Sequence, residues 1–72
     1  MKKFKFKSGD LLRDKEGYSS FGLIIKTLSC KEDGDFINEY FIVNKYLIIW
    51  TEGLEVDVES SSYIERYFKK LI

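Results

Sequence analysis

The stretch Phe36 to Thr51, FINEYFIVNKYLIIWT, constrains the chain most. Its apolar residues are almost all β-branched or aromatic, types that suit a pleated, half-buried surface. Asn tolerates a left-handed backbone, so Asn44-Lys45 reads as a tight turn between two strands. Lys45 stands where such a turn usually holds Gly, which leaves room for a slightly longer loop. A two-residue turn sets Val43 opposite Tyr46, Phe41 opposite Ile48 and Glu39 opposite Trp50 on one face. The other face pairs Ile42 with Leu47 and Tyr40 with Ile49. Both faces are then apolar, whereas antiparallel pairs commonly keep one solvated side. The Tyr40, Ile42, Leu47, Ile49 face carries no charge and is expected to line the core. The face with Phe41, Tyr46, Ile48 and Trp50, where Glu39 sits beside Trp50, is left for a cover or a partner.

Seventy-two residues make a single domain, residues 1–72. A chain this short buries only about 60% of its unfolded surface, so its core must be filled efficiently. Six Phe, five Tyr and one Trp do that. Twelve basic and twelve acidic residues balance to zero, which argues against a protein that coats nucleic acid through bulk charge. The chain has no histidine, which excludes His-containing triads and His-ligated zinc. The one cysteine, Cys30, cannot form an internal disulfide, and a reducing, cytoplasmic setting is expected. The uncharged run Tyr46 to Thr51 is too short to span a bilayer, and Phe4-Lys5-Phe6-Lys7 lacks the apolar core of a signal peptide.

Taken in order, Lys3 to Lys7, KFKFK, alternates with period two and reads as a short edge strand or extended arm, Phe4 and Phe6 inward and the lysines outward. Ser8-Gly9-Asp10 is a turn and Leu11 to Asp14 a short strand. Lys15 to Ser20 is a polar loop containing Tyr18. Phe21 to Cys30 is a long strand in which Gly22 permits a bulge or bend. Lys31 to Asp35 forms a turn around Gly34, and Glu52-Gly53 another. Leu54 to Val58 alternates, with Leu54, Val56 and Val58 expected inward and Glu55, Asp57 and Glu59 outward. In the tail, Ser62 with Glu65 fits a capping box, and a helix from Tyr63 to Lys70 is one reading. A single helical turn around Ser61 to Glu65 followed by a closing strand from Tyr67 to Ile72 is the preferred one, because a small barrel needs a last strand at its open edge.

These signals resemble an SH3-like small β-barrel. The residues that carry the likeness are Phe6 to Leu12, the loop with Gly17, Phe21 to Ile25, and the apolar pair ending in Ile49-Trp50. The opening is similar to that of KOW-type domains, and the whole to short barrel proteins encoded by bacteriophages. The resemblance implies an all-β fold, an SH3-like five-stranded antiparallel small barrel with a short helical turn near the C-terminus. It also implies a phage-related setting, in the bacterial host cytoplasm or the virion. Leu11 to Asp14 departs from the aromatic, acidic motif of peptide-binding SH3 domains, and the neutral net charge departs from ribosomal-RNA-binding KOW domains.

Nothing in the chain assembles a nucleophile with a base, so no catalytic residue, metal site, cofactor or small-molecule substrate is expected. Glu55, Asp57 and Glu59 are explained by alternation alone, and Cys30 as a small hydrophobe. Tyr18, Tyr46, Ile48 and Trp50 are the candidate partner-binding residues, since Tyr and Trp dominate interface hot spots. The function expected is non-enzymatic protein interaction or assembly, with a partner protein or with itself. The alternative is a nucleic-acid-binding barrel that uses Lys3, Lys5 and Lys7 with the interleaved phenylalanines as a stacking arm.

Overall fold

The computed structural model of the chain describes residues 3–17, 21–34 and 39–71. Strands β1 (Leu11–Asp14), β2 (Phe21–Asp33), β3 (Tyr40–Trp50), β4 (Val56–Ser60) and β5 (Phe68–Lys70) form one antiparallel sheet in the order β4-β3-β2-β1-β5. Helix α1 (Ser61–Tyr67) joins the two edge strands. Seven helical residues rise about 10 Å, whereas five flat strands would be about 19 Å across. The sheet must therefore curl for α1 to connect its edges. It remains open: among the described residues β4 pairs with β3 alone and β5 with β1 alone, so the barrel is approximate.

There is no turn at Asn44-Lys45. β3 runs straight through both residues, and its partner is β2, paired from Gly22–Trp50 to Asp33–Tyr40. The ladder answers both polar side chains locally. Ser29 Oγ donates to Asn44 Oδ1 at 3.0 Å, and Lys45 Nζ meets Glu32 at 3.0 Å. The hairpin instead closes beyond Asp33, where Gly34 N donates to Glu39 O at 2.9 Å. β2 thus continues three residues past Cys30, through the segment expected to turn. Phe36 and Ile37 lie outside the described residues.

Moving the turn reverses the assignment of faces. The core contains Phe6, Leu12, Ile24, Tyr46, Ile48, Ile64 and Phe68, so Tyr46 and Ile48 of β3 point inward. Tyr40 and Ile42, expected in the core, are exposed, and Leu47 and Ile49 are half-buried on the opposite side. The expectation rested on Glu39 facing Trp50, a pairing that vanishes with the turn. β4 follows suit: Asp57 pairs with Ile48 and Glu59 with Tyr46 on the inner side, half-buried. Val56 and Val58 face outward, and Leu54, at φ 54°, lies in the exposed turn after Gly53.

The N-terminal segment forms no strand, but Phe6 is buried and Lys3, Lys5 and Lys7 are exposed as the alternation implies. Asp10 organises the turn that follows. Its carboxylate accepts from Lys7 N at 3.0 Å, its N–H donates to Lys7 O, and its carbonyl accepts from Ile24 N. The backbone bond from Lys7, aided by Lys70, holds the Asp10 carboxyl below its ordinary range against the opposing effect of burial. The tail adopts the helical-turn-and-strand arrangement. Ser60 caps α1 by accepting from Tyr63 N at 3.3 Å, in place of the expected Ser62.

Gly22 sits where backbone and rings crowd together. A Cβ there would lie 2.9 Å from both Ile48 Cγ2 and Trp50 Cζ3. The bulge itself falls later, between Ile24 and Lys26. Gly22→Ala should destabilise the protein by about 1–3 kcal/mol, as overpacking does. Gly34→Ala meets only the flexible Glu39 side chain and should cost less. Urea unfolding of the two variants checks the order.

Candidate protein-binding surface

Cross-strand partners share a face, so the registers map the sheet's outer surface directly. Val56 pairs with Ile49, Ile49 with Leu23, and Leu23 with Leu11. Leu71 N donates to Leu11 O at 2.8 Å and extends the row to the last edge. Five aliphatic side chains therefore cross the whole sheet, one on each strand line. Val58 and Leu47 form a shorter row beside them. Leu23 is 37% exposed, Val56 53% and Val58 51%. On this same face Arg13 pairs with Lys69 at one end, and Lys26 and Lys45 stand at the other. The pattern is an apolar centre between mainly basic rims.

The residues expected to bind a partner are placed differently. Tyr46 and Ile48 have no exposed area and belong to the core. Trp50 is half-buried, packed against Phe68 with ring centroids 5.3 Å apart. Tyr18 lies outside the described residues. The apolar side chains of the outer face are instead Leu23, Ile49, Val56 and Val58, on β2, β3 and β4. Lys3, Lys5 and Lys7 are exposed, but the rings between them turn inward. Phe4 and Phe6 pack on Tyr46 at centroid distances of 5.3 and 6.0 Å.

Tyr46 joins three parts of the chain. Its hydroxyl donates to Glu65 Oε2 at 2.5 Å and accepts from Phe6 N at 3.1 Å. Glu65 Oε2 also accepts from Lys5 N at 3.1 Å. β3, α1 and the N-terminal segment are stapled at this point, so Glu65 serves here instead of a helix capping box. A separate shallow cleft is lined by Asp14, Glu16, Tyr63 and Tyr67. Among the described residues, no group of three or more His, Cys, Asp or Glu side chains could hold a metal ion, and no helix is long and apolar enough to cross a membrane. The three acids of residues 55–59 do not converge.

Comparisons with protein-family models, with curated proteins and with solved structures returned no match. The fold defines the class: a small, open, curled antiparallel sheet whose edges are joined by one short helix.

Burial first, and then the bond to Glu65, push the Tyr46 hydroxyl from its ordinary 10.0 up to about 12. The folded protein therefore holds this proton more tightly than the unfolded chain does. The associated stability is whole below pH 10 and is lost as pH climbs from about 10 to 12. Tyr46→Phe should remove that part of the alkaline loss. At neutral pH it should cost about 1–3 kcal/mol, because Phe6 N and Glu65 lose a partner. Denaturation midpoints of both proteins across pH 7 to 12 test the two effects together.

Proposed function

We propose that the protein is an SH3-like small-barrel module without enzymatic activity, which docks a partner protein on the outer face of its sheet. The five-strand aliphatic row from Val56 to Leu71 carries this reading. Contiguous exposed apolar surface on a small domain marks an interaction site, and an apolar centre with a polar rim is the usual anatomy of one. The basic rim of Arg13, Lys69 and Lys26 suits a partner with carboxylates around its apolar contact. The strand order, with a helical turn between the fourth and fifth strands, supports the SH3-like assignment. A phage-related setting goes with that likeness.

The doubly substituted Leu23→Lys, Val56→Lys protein should keep its unfolding midpoint, since substitutions at exposed positions usually stay within about 0.5 kcal/mol. It should lose the partner that the unaltered protein retains in affinity capture from its source organism. Equal capture by both proteins would remove the outer face as the site. The nucleic-acid alternative rests on Lys3, Lys5 and Lys7 without their rings. Salt-sensitive oligonucleotide binding that disappears when the three become Glu would favour it instead.

A further inference from the structure

β2 and β3 are much longer than their neighbours. The ladder with β4 stops at Lys45–Ser60, and β1 pairs with β2 only from Phe21 to Leu23. Cys30–Asp33 and Tyr40–Val43 therefore form ladder pairs only with each other among the described residues, as an arm about 14 Å long. The molecule measures 43 × 23 × 21 Å. A two-stranded ribbon is marginally stable in water, whereas three or more strands with apolar surface are not. On this arm Tyr40, Phe41 and Ile42 are 57, 49 and 56% exposed, on both of its faces.

The two edges of the arm differ. The β2 edge carries Lys31, Glu32 and Asp33, the kind of charge that discourages strand addition. The β3 edge from Tyr40 to Val43 carries none. Its backbone is also turned outward. Trp50 N donates to Glu55 O on the β4 side, while Thr51 N donates to Phe21 O on the β2 side. By the alternation of an antiparallel ladder, Tyr40 and Ile42 direct their N–H and C=O groups to the β4 side, beyond the point where β4 ends.

We infer that the β3 edge of the arm pairs antiparallel with the same edge of a second copy of this chain, about a twofold axis at Ile42. Ile42 faces the second Ile42 and exchanges two backbone hydrogen bonds with it. Phe41 faces Val43 on one surface, and Tyr40 faces Asn44 on the other. The pattern is self-complementary, as a twofold interface requires. Two marginal ribbons become one four-stranded sheet whose outer edges are both charged β2 strands. The assembly therefore closes as a dimer and does not grow into a filament. This surface is separate from the aliphatic row proposed to hold a partner protein.

Analytical ultracentrifugation of the full chain over a concentration series tests the inference, with circular dichroism to confirm folding. The unaltered protein should sediment with the mass of two chains. Ile42→Lys sets like charges against each other on the axis and should give one chain, with its fold intact because Ile42 is exposed. Val56→Lys, on the outer face, should remain dimeric. In a Cys30→Ser background, Ile42→Cys should oxidise to a linked dimer, since facing Cα atoms about 5.5 Å apart fit a disulfide. Lys31→Cys, on the guarded strand, should not. A monomer at every concentration overturns the inference. So does a dimer that survives Ile42→Lys, or one that Val56→Lys abolishes.

Discussion

The fold turns on one hydroxyl. Tyr46 stands at the middle of β3, fully buried, and reaches Glu65 on α1 and the backbone of Phe6 at once. Each of those segments is too short to hold its own place. Among its described residues the N-terminal segment forms no strand, and α1 has two turns. A tyrosine can serve both needs because it joins a large apolar ring to a polar tip. Its ring receives Phe4 and Phe6 while its oxygen satisfies a backbone donor and a carboxylate. Phe6 and Ile64 are thereby both held in the core.

The second constraint is unequal strand length. A sheet of five equal short strands would be all body. Here β1, β4 and β5 have four, five and three residues, whereas β2 and β3 have thirteen and eleven. The body is packed on one face by α1, Phe6 and Phe68. The arm is packed by nothing among the described residues. That division separates two kinds of exposed apolar surface. On the body it is a broad aliphatic row on a stable sheet, suited to side-chain contact. On the arm it is a strand edge with open backbone groups, suited to pairing with another strand.

What the amino-acid sequence determined by itself was the class of element almost everywhere. Density of β-branched and aromatic residues marked β2 and both halves of β3, turn chemistry marked Gly9 and Gly53, and the tail took the helical-turn-then-strand form that its residues allowed. KFKFK declared the direction of its rings but not its lack of a strand partner. What only tertiary structure decided was register, and with it the face of every strand. Residues 40–43 and 46–50 are apolar at both parities, so period two carried no information about inside and outside. A one-residue change of register exchanges the two faces completely. Asn44-Lys45 had the local chemistry of a turn, but thirteen residues of β2 offered a continuous ladder, and many long-range hydrogen bonds outweigh one local preference. The candidate surface was illegible for the same reason. Leu23, Ile49 and Val56 become neighbours only once β2, β3 and β4 are in register, and Tyr46 and Ile48, the residues most like an interface in type, were needed to fill the core.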